Sequence, residues 1–166
     1  VTDGNGCSAT SASVTTTVNP LPTPSITGTL AFCAGGSTTL DAGSYASYDW
    51  STGATTQTIS VNTAGSFSVT VTDGNGCSAT SASVTTTVNP LPTPSITGTL
   101  SFCAGGSTTL DAGSYASYDW STGATTQTIS VNTAGSFSVT VTDGNGCSGT
   151  SASVTTTVNP LPTPSI

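Results

Sequence analysis

No Lys, Arg, His, Glu or Met occurs in the 166 residues, and all seven charges are aspartates, so the net charge is -7. These absences remove whole classes of chemistry. General acid–base catalysis near neutral pH recruits His, Lys or Glu, and a nucleophilic Ser or Cys would lack its usual His partner. Binding to a polyphosphate backbone needs cationic side chains that displace counterions, which excludes nucleic acid as a partner. The same sign of charge excludes attraction to an anionic membrane surface. No apolar run approaches the ~18 residues of a membrane span, so no direct membrane insertion is expected within these residues. With no Met, residue 1 is not a translation start, and any targeting or anchoring segment is expected outside these residues. Low charge alone would suggest disorder, but Val, Ile, Leu and aromatic residues recur in ordered alternation with Ser and Thr, as on strands with one wet face.

What is present is a repeat. Residues 1–96 match residues 71–166 at every position but two, where Ala31 becomes Ser101 and Ala79 becomes Gly149, a period of 70. All nine prolines lie in three copies of Asn-Pro-Leu-Pro-Thr-Pro, at 19–24, 89–94 and 159–164. Proline fixes φ and lacks an amide donor, so these segments read as extended, semi-rigid connectors. The expected organisation is therefore the end strands of a preceding repeat over 1–21, complete repeats over 22–91 and 92–161, and the start of a following repeat over 162–166. Ser and Thr supply 27 of the 70 residues in 22–91. The core must then be thin and carried by a few large side chains, in a domain near the lower size limit for independent folding.

Period-2 alternation gives the strands. Ile26, Gly28, Leu30 and Phe32 share one face of a first strand, and Thr38, Leu40 and Ala42 point inward on a second. Tyr48 and Trp50 flank an outward Asp49 on a third, and Ile59 and Val61 point inward on a fourth. Phe67, Val69 and Val71 follow. Asp73-Gly74-Asn75-Gly76 is a strong hairpin signal, since tight turns need the positive φ that Asn and Gly tolerate. A last strand runs from about Cys77 to Val88 with Ala82, Val84, Thr86 and Val88 on one face. No segment has helical periodicity. The fold class expected is all-β: tandem immunoglobulin-like β-sandwich repeats of about 70 residues, with a Trp on the third strand.

Three segments carry a resemblance: Phe32-Cys33-Ala34-Gly35-Gly36-Ser37, Tyr48-Asp49-Trp50-Ser51-Thr52-Gly53, and Gly65 through Cys77. The chain resembles the Ig-like and PKD-like tandem repeats of giant Bacteroidota cell-surface adhesins, the gliding-motility adhesins among them. The resemblance spans the whole repeat. It implies export, an elongated form at the cell surface, and self-association or adhesion.

Cysteines stand at positions 7, 33, 77, 103 and 147. No Cys-x-x-Cys or Cys/His pattern suggests zinc. In an exported protein they read as structural disulfides, each worth roughly 2–4 kcal/mol. Two pairings are open. One lies within a repeat, Cys33 with Cys77 and Cys103 with Cys147. The other joins neighbouring repeats, Cys33 with Cys147, and is favoured on topology. Cys33 precedes the second strand at one end of the sandwich, and Cys77 follows the hairpin at the other. The span is about 20 Å, against the ~7 Å between Cα atoms that a disulfide tolerates.

Other candidates have plainer readings beside them. Asp73-Gly74-Asn75-Gly76 would offer hard oxygens to calcium, yet calcium wants about six to eight ligands and no second carboxylate is near in sequence, so a hairpin turn is expected and no cofactor. Tyr45 and its counterpart Tyr115, in the loop before the third strand, are the freest aromatic residues and candidate exposed contacts. Tyr48 and Trp50 belong to the core. Asp41 and Asp49, on neighbouring strands, could imitate a glycosidase pair, but nothing raises a pKa. There is no Asn-x-Ser/Thr sequon. The expected function is structural and not enzymatic: an extracellular stalk or filament segment whose partners are neighbouring repeats and, in a filament, other copies. The alternative is a carbohydrate- or protein-binding module that uses repetition for avidity.

Overall fold

In a computed structural model that describes residues 1–164, each repeat is a two-sheet sandwich of short strands, and no helix occurs among the described residues. The first repeat contains β1 (Ala31–Cys33), β2 (Thr38–Asp41), β3 (Ser47–Trp50), β4 (Thr58–Val61), β5 (Gly65–Phe67), β6 (Val69–Thr72), β7 (Ser78–Thr80) and β8 (Val84–Asn89). The second contains β9 (Ser101–Cys103) through β16 (Val154–Asn159) in the same order, 70 residues on. No strand of one repeat pairs with a strand of the other.

One sheet is β2 against β4, antiparallel, with residue 27 bridged to Asp41 at its edge. The other is built on β3–β6–β7, continued by β5–β8–β1. In it β5 and β6 form one strand interrupted at Ser68, and β7 and β8 form another interrupted over 81–83. The first strand of the sequence is thus shared between sheets. Residue 27 pairs with Asp41 antiparallel, whereas Ala31–Cys33 pair in parallel with Thr87–Asn89. Gly28 makes the crossing possible. Its φ is 135°, and a Cβ there would run into the Thr39 carbonyl oxygen, so only glycine lets the two backbones approach.

The core of each repeat is small and apolar. Leu40, Ala42, Trp50, Ile59, Val61, Phe67, Val69 and Val71 form one buried cluster, and the residues 70 further on form a second, separate one. Strands β2, β4 and β6 alternate as expected. Trp50, 2 % exposed, spans the gap between sheets, and its indole Nε1–H donates to the Thr56 carbonyl at 2.8 Å. Polar groups that enter the core bring partners. Thr86 Oγ1 donates to the Thr63 carbonyl at 2.9 Å, and the Val69 amide donates to Ser81 Oγ at 3.2 Å. No buried side-chain polar atom among the described residues lacks a partner.

Three expectations need correction. The last strand is not one run from Cys77 to Val88, because the break at 81–83 shifts its phase. Ser81 turns inward, where its hydroxyl serves the Val69 amide, and Ala82 turns out to solvent. Leu30 is 40 % exposed, lying where the chain crosses between the sheets and belongs to neither face. Asp41 and Asp49 are not on neighbouring strands, since β2 pairs with β4 and β3 with β6, in different sheets.

The crossing at Gly28 yields a stability prediction. Gly28→Ala should lower the stability of the first repeat by at least ~2 kcal/mol, from a backbone conformation closed to other residues plus the collision with Thr39. Gly74→Ala, which meets nothing within 4 Å, should change it by less than ~1 kcal/mol. Urea unfolding of the two variants checks the contrast.

Candidate functional site

The cysteines single out the ends of the sandwich. Cys33 closes β1 opposite Asn89, the last residue of β8, so the root of the proline connector and Cys33 leave the repeat side by side. The Ala34 amide donates to the Asn89 carbonyl at 2.8 Å and secures that corner. Cys77 stands at the other end, before β7. The interrupted strand β7–β8 runs between residues 77 and 89, on the order of 30–40 Å of extended chain. Cys33 and Cys77 of one repeat therefore cannot meet. Cys147, the second repeat's counterpart of Cys77, does meet Cys33, and the two form a disulfide with Cα atoms 5.5 Å apart across 114 residues of sequence. Of the two pairings open from sequence, the structure contains the one between repeats. Cys77 and Cys103 are free, so neither bond within a repeat is present. A disulfide of this kind belongs to an oxidising compartment, which fits a secreted or extracellular protein.

The hairpin that carries Cys147 is built to hold it. Asp143 Oδ1 accepts from the amides of Asn145 at 2.8 Å and Cys147 at 2.9 Å, and the Asp143 amide donates to the Cys147 carbonyl at 2.9 Å. Gly146, with φ 79°, makes the turn. Asp73 and Cys77 repeat the arrangement, as do Asp3 and Cys7. Asp73 Oδ1, an oxygen the hairpin would offer to calcium, is thus engaged by the Asn75 and Cys77 amides. No group of three or more His, Cys, Asp or Glu gathers among the described residues.

Around the bond the connector packs closely. Cys147 is fully buried whereas Cys77 is half-buried, and Pro94 is buried whereas Pro24 is half-buried. Pro92 lies over Gly149, two residues past Cys147. The site is a joint with two covalent links, the connector that follows Asn89 and the cystine at Cys33. The cysteines at 33 and 147 were readable as a pair from the strand assignment. The parallel β1–β8 pairing that seats Cys33 at the connector root was not read from the sequence, and neither was the contact of Pro92 with Gly149. The signal for the second was the Ala79-to-Gly149 difference between otherwise matching segments.

Tyr45 and Tyr115 are not free contacts. Each is half-buried against its core, edge-on to the following tyrosine with ring centroids 6.5 Å apart. The Tyr45 amide donates to Tyr48 Oη at 2.8 Å, and that hydroxyl donates to the Gly43 carbonyl at 2.9 Å, closing the loop over itself. Asp41 is likewise structural. The Gly43 amide at 2.8 Å and Gln57 Nε2 at 3.1 Å donate to Oδ1 and hold its carboxyl below the ordinary 3.8. Asp111 has the same partners in the second repeat, Gly113 and Gln127.

Neither a protein-family profile nor a curated protein matches the chain. Among solved structures it is similar to murine CEACAM1b at 11% identity and TM-score 0.39, over 81% of this chain and 100% of that one. It is also similar to a Bacteroides ovatus mixed-linkage glucan utilization locus protein, SGBP-B, solved with a mixed-linkage heptasaccharide. There the identity is 16% and the TM-score 0.23, over 78% of this chain and 43% of that one. The chain is an all-β protein of immunoglobulin-like sandwiches on its own strand topology. Similarities at these scores say nothing of function.

A carboxyl whose folded pKa is depressed stabilises the fold above its unfolded pKa, and that contribution is lost as pH falls through the folded value. Urea midpoints should therefore fall as the solution is taken from about pH 5 to below 3.8, the ordinary carboxyl value. Asp41→Ala with Asp111→Ala should flatten that dependence, as equilibrium unfolding at a series of pH values would show.

Proposed function

We propose that the chain is a segment of a structural stalk or filament of an extracellular surface adhesin, with no catalytic role. The observation that carries this reading is the Cys33–Cys147 bond beside the connector root. One link between two beads leaves them free to swivel. Two links side by side remove the swivel and turn beads into a rod. Extended over an array, the same joint pairs Cys77 with the Cys33 counterpart of a preceding repeat and Cys103 with the Cys147 counterpart of a following one. Every repeat is then bonded to both neighbours.

The rest of the surface suits a durable spacer. Ser and Thr hydroxyls face each other across exposed strands, as in Thr70 with Thr80 at 2.8 Å and Thr72 with Ser78 at 2.9 Å. With no Lys or Arg the chain offers trypsin nothing to cut, and with no Met it lacks one oxidisable side chain. Charges of a single sign keep neighbouring rods apart. The loop tyrosines, the strongest candidates for a ligand platform, are half-buried against the cores, which favours the spacer over the binding module.

Electron microscopy of the native assembly tests the reading. Thin fibres with an axial period of one repeat, about 30–40 Å, that become visibly more flexible in reductant are expected. Compact particles, or fibres whose stiffness ignores reductant, would refute it.

A further inference from the structure

Only two positions distinguish the overlapping copies of the repeat, and both belong to the joint. Ala31 and Ser101 stand two residues before Cys33 and Cys103. Ala79 and Gly149 stand two residues after Cys77 and Cys147. Residues two apart on extended chain share a face, so each difference lies beside a bridging cysteine.

At Gly149 the consequence is steric. A Cβ built there would overlap the Pro92 carbonyl oxygen, and would lie 3.0 Å from the carbonyl carbon and 3.3 Å from Cγ of the same residue. Most of the obstruction is backbone, which cannot rotate away as a flexible side chain would. The φ of Gly149 is not in the left-handed region, so what requires glycine here is space and not backbone conformation. Alanine would push the connector outward by about 1 Å or more to restore van der Waals distance. The connector begins beside Cys33, so its displacement carries Cys33 away from Cys147.

We propose that Gly149 is the positioning residue of the joint. It seats the Pro92 carbonyl against β15 (Ser148–Thr150), and the choice of Gly or Ala at this position sets how closely a repeat docks on the one before it. A repeat with Gly here makes the tight joint seen between the two repeats. A repeat with Ala, such as the first, holds the incoming connector further out. The second difference acts on the other half of the joint. Asn159 Nδ2 donates to Ser101 Oγ at 2.7 Å, a tether that Ala31 cannot offer to Asn89. The connector root is therefore pinned after the second repeat and lacks that pin after the first. An array of nearly identical repeats can in this way encode different joints with one or two small substitutions.

The test uses the whole chain with Cys7, Cys77 and Cys103 changed to Ser, leaving Cys33 and Cys147. The readout is the equilibrium between bridged and reduced forms in glutathione buffers, which reports the effective concentration of one thiol for the other. Gly149→Ala should lower it at least tenfold, and Ala79→Gly, the reverse change on the first repeat's hairpin, should leave it within twofold of the parent. Folding should not be affected, because the first repeat carries Ala at this place, and unchanged urea midpoints of both repeats would check this. Bridging in Gly149→Ala within twofold of the parent, equal losses in both variants, or a loss accompanied by a lowered midpoint of the second repeat would overturn the proposal.

Discussion

Distance along one interrupted strand decides the architecture. Strands β7 and β8 carry the chain from the hairpin that holds Cys77 to the corner that holds Cys33, so the two cysteines of a repeat point to opposite ends and neither can satisfy the other. A thiol at each end of a short sandwich has one kind of partner in reach, a thiol on the adjoining end of a neighbour. The bond between Cys33 and Cys147 follows from that geometry, and so does the burial of Cys147. A bond inside the repeat would strengthen one small domain. The bond between repeats ties one sandwich to the next.

The small core makes this division of roles intelligible. Eight buried apolar residues per repeat, with a Trp at the centre, close the sandwich but leave little apolar surface for docking one repeat on another. Hydroxyls carry part of the internal load, since Thr86 and Ser81 enter the core with hydrogen bonds made. An apolar interface between repeats would draw on side chains that each core already uses. A covalent clamp over a proline connector needs very few residues, and residues at the ends of strands can be changed without disturbing the sandwich. The two differences between copies fall beside the bridging cysteines, at the start of β1 and β9 and inside β7 and β15.

Much of this could be read from the chain. The alternation of Leu40 with Ala42, Ile59 with Val61 and Phe67 with Val69 and Val71 is clean because each strand has one dry face, and the interruption at Ser68 leaves the phase unchanged. The Asp-Gly-Asn-Gly hairpins are legible for their turn chemistry, and the pairing between repeats was legible because strand lengths bound distances. What escaped has local physical causes. The inward turn of Ser81 depends on a break in the strand that alternation cannot anticipate. The split first strand depends on one backbone contact at Gly28, and the sequence marks it only by a glycine in a strand. Tyr45 looked free because loops are usually exposed, whereas its amide is held by the hydroxyl of Tyr48. The seat under Pro92 was hidden because an alanine-to-glycine change reads as neutral until a carbonyl is found above it.

The claim at the centre is that oxidation locks the orientation of one repeat relative to the next. Residual dipolar couplings measured separately for the two repeats, before and after reduction of Cys33–Cys147, address it most directly. One shared alignment tensor in the oxidised chain, splitting into two of different magnitude and direction on reduction, is the predicted result. Two independent tensors in the oxidised chain, or one shared tensor that survives reduction unchanged, would contradict it.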